Sequence, residues 1–318
     1  MALIEVQSLK KRFGSVVAVD DISFSVERGE VLGFLGPNGA GKSTSMKVIA
    51  GVLAPTAGTA IVGGVDVRID PTAVKRRLGY LPEGSPLYGD MTSEELLTFV
   101  GRARGMNASR RRAAVADVMG HLGLDAMAHR RIETLSKGYR RRVGVAQAIM
   151  HDPDVLVLDE PTDGLDPNQK HDVRELIRSM SASKAIIIST HILEEVDAVC
   201  DRVIIIDRGR IVANATTAEL YSRSPDFNSV SLAVSHADRK RAIKVLSGIV
   251  DVALVEEAGR PENNNQLVAR PREGRFIGDA VSLALAQAGI TPIELHGTVV
   301  RLDDIFRTIT NEEGRPEG

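Results

Sequence analysis

An α/β core is the fold class that the 318-residue sequence predicts, because short apolar runs alternate with helical segments. Four runs are β-branched, too short for helices and apolar on both faces, which is typical of buried parallel strands. They begin at Val31, Val155, Ala185 and Arg202. Segments with helical spacing, such as residues 42–53 and 168–180, lie near these runs. We therefore expect strands covered by helices on both sides.

Two changes in pattern predict further parts of the chain. Residues 91–127 are helix formers with apolar spacing and hold no strand candidate, which indicates a helical insert in a subdomain of about residues 91–150. Turn residues cluster at 221–229, and strand and helix candidates then follow in the order βαββαβ, with a polar loop at 257–266. This order favours a small ferredoxin-like α+β domain. We predict one domain at residues 1–221 and an accessory domain at 222–318.

Composition narrows the class of function. The 40 basic and 42 acidic side chains leave a formal charge of -2, so the chain has no overall field that would attract a nucleic acid. The single cysteine, Cys200, excludes an intramolecular disulfide framework and favours a reducing compartment such as the cytosol. No run reaches the roughly 18 to 20 apolar residues that span a bilayer. We expect a soluble chain that reaches a membrane only through a partner.

A phosphate-binding loop is predicted where the stretch GPNGAGKST follows the strand that begins at Val31 and opens a helix. The pattern G-x-x-x-x-G-K-[ST] places backbone N–H groups and a helix N-terminus around the phosphates of a nucleoside triphosphate. Lys42 would reach the β and γ phosphates, and the Ser43 hydroxyl would bind Mg²⁺. The candidate residues are Gly36, Pro37, Asn38, Gly39, Ala40, Gly41, Lys42, Ser43 and Thr44.

Two adjacent carboxylates end the strand that begins at Val155, in the stretch VLVLDEPTDGLDP. Such a pair is costly unless a cation or a reaction uses it. Asp159 at the strand tip suits a water-mediated hold on Mg²⁺. Glu160 is placed to orient or deprotonate an attacking water.

Together these motifs resemble the ATP-binding subunit of an ABC transporter, over about residues 3–220. The remaining motifs follow in the family's order. Phe13 resembles the aromatic residue on which adenine stacks, and His191 matches the histidine that senses the γ-phosphate. Ser136 and Gly138 lie in LSKGY, which resembles the signature L-S-G-G-Q, and Asp166 lies where the family has its D-loop aspartate. The resemblance implies a P-loop NTPase core of the ABC ATPase type that binds ATP and Mg²⁺.

The sequence departs from the family at the Q-loop and in the signature. Glu83 replaces a usual glutamine, so an ionised side chain there only accepts hydrogen bonds, although it can still bind Mg²⁺ or water. Lys137 and Tyr139 replace glycine and glutamine, which resembles the branch that serves drug, polysaccharide and gliding-motility exporters. Residues 140–142 are arginines, the middle one in place of a usual glutamine, and we expect structural pairing or surface roles for them.

The resemblance also implies partners. A second copy or a similar ATP-binding subunit would place its signature turn against the ATP of the first. A separate transmembrane permease would dock beside Glu83, at Leu87, Tyr88 and Met91, and hold the chain on the inner, cytoplasmic face of the cell membrane. The expected function is ATP hydrolysis that drives transport, with export favoured by the branch. The role of the accessory domain, dimer support or regulation, stays open.

Three alternatives compete with this interpretation. A soluble ABC ATPase acting on nucleic acid or ribosomes would usually have a coiled-coil insert or a second cassette, and neither is present in the sequence. An ATP-binding regulator without hydrolysis disagrees with Glu160 and His191, and P-loop kinases lack the signature turn. We therefore expect no nucleic-acid partner.

Overall fold

A computed structural model of the chain describes residues 2–258 and 265–312. These residues form two compact units, 2–217 and 218–312. The strands of the described ranges are β1 (Ala2–Phe13), β2 (Val16–Glu27), β3 (Val31–Leu35), β4 (Ala57–Val62), β5 (Val65–Asp66), β6 (Leu78–Leu81), β7 (Val155–Asp159), β8 (Ala185–Ser189), β9 (Arg202–Asp207), β10 (Arg210–Thr216), β11 (Val230–Ala233), β12 (Val252–Ala258), β13 (Gln266–Pro271) and β14 (Glu294–Gly297). The α-helices are α1 (Lys42–Ile49), α2 (Pro71–Arg77), α3 (Ser93–Ala103), α4 (Ala108–His121), α5 (Lys137–Ile149), α6 (Pro167–Ser181), α7 (Leu193–Val199), α8 (Thr217–Ser222), α9 (Arg239–Ser247), α10 (Gly278–Gln287) and α11 (Leu302–Glu312).

The central sheet of the first unit has the strand order β10-β9-β3-β8-β7-β6. Its five strands from β9 to β6 are parallel, and β10 pairs antiparallel with β9 at one edge. Every residue of β3, β7 and β8 is buried, as the apolar runs predicted. The predicted α/β core is thus confirmed, and the loops that follow its parallel strands meet at one edge, where ligands bind in such sheets.

A second, antiparallel sheet with the order β2-β1-β4-β5 was not expected from the sequence. Its inward side chains share one hydrophobic core with α1 and with the central sheet. Ile4 and Ile22 from this sheet, Met46 from α1 and Val157 from β7 are all members of that core. The helix that follows the phosphate-binding loop is therefore packed on strands from both sheets.

The predicted helical insert is confirmed as α3 and α4, followed by two short 3₁₀ helices at Asp125–Met127 and Ile132–Thr134. A capping box begins α3: the Thr92 hydroxyl accepts from the Glu95 N–H at 3.2 Å, and the Glu95 carboxylate accepts from the Thr92 N–H at 2.9 Å. Ser136 caps α5, which packs on β6. The insert thus lies between β6 and β7 in the chain and ends in the signature helix.

The second unit has the element order β11-α9-β12-β13-α10-β14, followed by α11. Its sheet is antiparallel with the order β12-β13-β11-β14, which is the ferredoxin-like arrangement. Leu232 and Leu267 from the strands pack with Leu246 and Leu285 from the helices. Residues 259–264 of the predicted polar loop and residues 313–318 of the predicted accessory domain lie outside the described residues. Within the described ranges, no helix is long and apolar enough to cross a membrane.

The packing of β6 on α5 is tested at Gly79. A Cβ atom at Gly79 would lie 2.1 Å from the Ala148 carbonyl oxygen and 2.7 Å from Leu156 Cδ2. We expect Gly79→Ala to lower the free energy of unfolding by about 2 kcal/mol, because backbone must move to make room. At Gly120 in α4 a Cβ would meet nothing within 4 Å. Gly120→Ala should therefore be stabilising by about 0.5 kcal/mol. Urea unfolding of both variants checks this, and equal effects would contradict the described packing.

Candidate functional site

The phosphate-binding loop joins β3 to α1 and is held in shape by its own lysine. Lys42 is buried, and its Nζ donates to the carbonyl oxygens of Gly36 at 2.6 Å and Pro37 at 3.0 Å. Burial lowers the pKa of Lys42, whereas the negative charges of Glu160, Asp159 and Glu83 oppose this effect. The ammonium group therefore lies in the field of three carboxylates at the start of α1.

The turn into α1 requires a glycine and leaves the N-terminus of the helix uncapped. Gly41 has a φ of 107°, and a Cβ atom there would lie 2.4 Å from the Ala18 carbonyl oxygen, so only glycine fits. No side chain caps the N-terminus of α1, whereas Ser136 caps α5 and Asp166 caps α6. An uncapped N-terminus leaves N–H groups of the first turn for an anion.

These residues open onto a pocket of about 200 Å³. Of the other predicted loop residues, Ala40 is buried in the core and Thr44 is half-buried in the first turn of α1. The pocket is lined by Asn38, Gly39, Gly41, Lys42, Ser43, Glu83 and Glu160. The structure thus brings together the phosphate-binding loop, the Q-loop glutamate and the residue that follows β7.

Asp159 ends β7 with its side chain almost fully buried, at 1% exposure. Its Oδ1 accepts a hydrogen bond from the Ser189 hydroxyl at the end of the neighbouring β8. Its Oδ2 is buried and has no hydrogen-bond partner among the described residues. A buried carboxylate oxygen without a donor is costly, so this atom is suited to a cation or to a water bound to one.

Glu160 is held in an unusual backbone conformation directly after β7. Its φ is 51°, in the left-handed region that costs a residue with a side chain about 1–3 kcal/mol. Its N–H donates to the Ser189 carbonyl oxygen at 3.0 Å, and its Oε1 lies 2.8 Å from Nδ1 of His191. Because an ionised carboxylate only accepts, Nδ1 is the donor in this contact. The base candidate and the histidine candidate are therefore direct partners.

The charged residues around Lys42 fit a Mg²⁺ ion that accompanies a nucleotide. Ser43 Oγ lies 3.5 Å from Glu83 Oε2, and the unpartnered oxygen of Asp159 belongs to the same charged group around Lys42. Among the described residues, no three His, Cys, Asp or Glu side chains are arranged to hold a metal ion by themselves. Mg²⁺ usually takes one or two protein ligands and completes its shell with phosphate oxygens and water.

Other predicted residues lie outside this pocket. The Ser136 hydroxyl accepts from the Tyr139 N–H at 3.3 Å, and Asp166 accepts from the Gln169 N–H at 2.9 Å, so both are helix caps. Gly138 packs so closely that a Cβ would lie 2.8 Å from Gln169 Oε1. Phe13 ends β1 with half of its surface exposed, and Lys11 Nζ lies 5.1 Å from the ring centroid.

Among the three consecutive arginines, only Arg140 is exposed. The expected structural pairing is confirmed for Arg141 and Arg142, which are 4% and 8% exposed and hydrogen-bonded to the backbone. Arg142 donates to the Leu122 carbonyl oxygen at 2.7 Å and lies 4.3 Å from the ring centroid of Tyr139. Arg141 hydrogen-bonds to the backbone of Asp159 and Glu160, a contact that sequence reasoning missed.

Glu195 on α7 is a second buried residue that the sequence did not single out. Its carboxylate accepts from the hydroxyls of Thr162 and Thr190, the latter at 2.9 Å. Lys170 Nζ and Arg174 Nη2 lie 3.7 Å and 3.8 Å from the same carboxylate. Since Thr162 follows Glu160 by two residues and Thr190 precedes His191, Glu195 links the backbone segments that carry the base and the histidine.

Comparison with known proteins agrees with this geometry. The daunorubicin/doxorubicin resistance ATP-binding protein of Streptomyces peucetius is 35% identical over 312 residues, which cover 96% of this chain and 92% of that protein. The chain belongs to the ABC transporter family. The family model described as ABC transporter matches residues 19–163. The linearmycin resistance ATP-binding protein of Bacillus subtilis is 35% identical over 257 residues, or 80% of this chain and 83% of that protein.

Solved structures show the same fold. An ATP-binding subunit of an ABC transporter superposes with a TM-score of 0.65 at 30% identity, over 69% of this chain and 91% of that one. A dimeric bacterial ABC transporter cassette superposes with a TM-score of 0.64 at 21% identity, over 67% of this chain and 98% of that one. The ABC ATPase fold that the motifs implied is thereby confirmed, and the chain is a nucleotide-binding subunit of ABC type.

The link made by Glu195 is tested by removing its carboxylate. We expect Glu195→Ala to lower the free energy of unfolding by about 3 kcal/mol, because Thr162, Thr190 and the two cations lose a buried acceptor. Glu194→Ala, a matched change at the exposed neighbour, should alter it by less than about 0.5 kcal/mol. Urea unfolding measures both variants, and similar values for the two would show that Glu195 has no such role.

Proposed function

We propose that the chain is the ATP-hydrolysing subunit of an ABC exporter, which pairs with a second copy or a similar subunit around ATP and drives a separate membrane permease. The observation that carries the proposal is the position of Glu160. Its carboxylate lines the pocket of the phosphate-binding loop and is held by His191 at 2.8 Å. A carboxylate in this position is suited to accept a proton from a water that attacks a terminal phosphate.

The proposal gives roles to residues in the pocket and around it. Lys42 and the uncapped N-terminus of α1 bind the phosphates, and Phe13 offers its exposed ring to the adenine. Ser43, Glu83 and Asp159 are the residues that would hold Mg²⁺, Asp159 through a water. The ion, when bound, neutralises charge on the phosphate oxygens. His191 orients the carboxylate of Glu160 and, in the proposal, senses the γ-phosphate.

The position of the signature turn supports the dimer. Ser136 is exposed at the start of α5, and neither it nor Gly138 lines the pocket that contains Lys42. The Ser136 hydroxyl accepts one backbone hydrogen bond and retains its proton to donate. A turn of this kind, which faces outward at a helix N-terminus, is suited to a phosphate held by another subunit. Asp166 belongs to the same subunit contact in this proposal.

An exposed aromatic pair supports the permease contact. Tyr88 follows the Q-loop and is 57% exposed, and its ring meets that of Phe99 on α3 at 5.8 Å between centroids, edge to face. Leu87 and Met91 are half-buried beside it. We propose that a permease helix packs on this pair, since exposed aromatic residues are common at protein interfaces. Such a contact would hold the chain on the inner face of the membrane.

Export is the direction that the relatives favour. The two sequence relatives described above, from Streptomyces peucetius and Bacillus subtilis, are resistance ATP-binding proteins. Nod factor export ATP-binding protein I of Paraburkholderia xenovorans is 40% identical over 220 residues, or 69% of this chain and 72% of that protein. We propose an exported substrate for this chain on that basis.

The role of Glu160 is tested by Glu160→Gln. We expect the rate of ATP hydrolysis to fall by at least about 100-fold, because the amide cannot accept the proton, while ATP binding is kept. ATP-bound dimer should accumulate, which light scattering or analytical ultracentrifugation detects. Glu175→Gln, an exposed glutamate on α6, is the matched control and should keep the wild-type rate. Near-normal hydrolysis by Glu160→Gln would refute the assignment of the base.

A further inference from the structure

The Arg141 guanidinium lies buried beneath the catalytic edge of the central sheet. It belongs to the second turn of α5, and burial lowers its pKa, an effect that the charges of Asp163, Asp159, Glu160 and Glu83 oppose. A buried cation is costly unless its hydrogen bonds are made. The partners that satisfy Arg141 therefore show what the residue holds in place.

All five N–H donors of Arg141 have acceptors, and the acceptors lie on two loops. Nε donates to the Glu160 carbonyl oxygen at 2.9 Å, and Nη2 donates to the carbonyl oxygens of Asp159 and Glu160. Nη1 donates to the Pro82 carbonyl oxygen at 3.3 Å and to Ser85 Oγ at 2.6 Å. One side of the planar guanidinium thus binds the end of β7, and the other binds the Q-loop.

On the β7 side, Arg141 completes the restraint of the Glu160 peptide groups. The Glu160 N–H is held by the Ser189 carbonyl oxygen, and the Glu160 carbonyl oxygen is held by Arg141. With both groups fixed, the residue keeps its left-handed φ of 51°. Because φ and ψ set the direction of the side chain, this restraint aims the carboxylate at His191.

On the Q-loop side, the two contacts of Arg141 bracket Glu83. Pro82 precedes Glu83 by one residue, and Ser85 follows it by two. One turn further along α5, a Cβ atom at Gly144 would lie 3.0 Å from Ser85 Oγ and 2.8 Å from Leu81 Cδ1. The surface of α5 is therefore shaped to receive this loop closely.

We infer that Arg141 is a positioning residue for Glu160. It couples the orientation of the Glu160 carboxylate to the position of the Q-loop, residues 82–85. A displacement of the Q-loop would remove acceptors from the guanidinium and loosen its hold on the Glu160 carbonyl group. Hydrolysis would then respond to whatever moves residues 82–85. The inference rests on the proposed function, in which Glu160 is the base.

Arg141→Lys tests the inference, because lysine keeps the charge but lacks the planar fork that reaches both loops. We expect kcat to fall by about 10- to 100-fold while KM for ATP stays within about twofold. Arg142→Lys is the matched control, since Arg142 is the neighbouring buried arginine and its partners are Leu122 and Tyr139. Its kcat per folded molecule should equal that of the wild type.

A double variant separates positioning from general damage. If Arg141 acts through Glu160, the single-turnover rate of Arg141→Lys/Glu160→Gln should equal that of Glu160→Gln alone. Losses that multiply in the double variant would overturn the inference.

Ser85→Ala keeps the test decisive if Arg141→Lys does not fold. It removes one acceptor from the Q-loop side, and we expect kcat to fall by about threefold or more with KM unchanged. A wild-type kcat in Ser85→Ala, or in a folded Arg141→Lys, overturns the inference. If Glu160→Gln still abolishes hydrolysis in the same assay, the proposed function stands although the inference about Arg141 fails. If the wild-type chain does not hydrolyse ATP, or Glu160→Gln retains activity, the proposed function itself fails.

Discussion

The burial of the Asp159 carboxylate at the end of β7 is the constraint on which the rest of the site depends. All five residues of β7 are buried, and its last one is Asp159. An ionised side chain in such a place needs donors or a cation nearby. The Ser189 hydroxyl supplies one donor, and the ammonium group of Lys42 supplies a cation from the phosphate-binding loop. The phosphate loop and the strand end are therefore mutually dependent, and a nucleotide with its Mg²⁺ would complete the same charge pattern.

Hydrogen bonds join the loops that surround this strand end. Arg141 connects the segment after β6 to the segment after β7, and Glu195 connects the segment after β7 to the segment after β8. Both side chains are buried and belong to helices, so each restraint is anchored in the core. Displacing one of these loops would leave buried polar groups of the next without partners. If a partner contacts the loop after β6, the hydrogen bonds of Arg141 provide a route from that loop to Glu160, which follows β7.

Those parts of the fold with strong local patterns were predictable from the sequence. Runs that are apolar on both faces identified β3, β7, β8 and β9, and the glycine-rich stretch at Gly36 identified the loop before α1. The sheet of β1, β2, β4 and β5 was missed because its strands are half-buried and irregular, with several shifts of register between β1 and β2. The role of Arg141 could not be read locally, since its acceptors come from residues 82–85 and 159–160. For Glu195 a weak signal existed: it precedes Val199 by four residues and so lies on the apolar face of α7.

The central claim, that each ATP site is shared by two chains, is tested most directly by mixing two inactive variants. Lys42→Ala disables the phosphate-binding loop, and Ser136→Ala disables the signature turn. A mixed dimer would contain one intact site, so an equal mixture should recover up to about a quarter of the wild-type hydrolysis rate, because about half of its dimers are mixed. Mixing Lys42→Ala with the double variant Lys42→Ala/Ser136→Ala is the control and should recover nothing. A mixture of the two single variants that hydrolyses ATP no faster than the variants do separately would contradict the shared site.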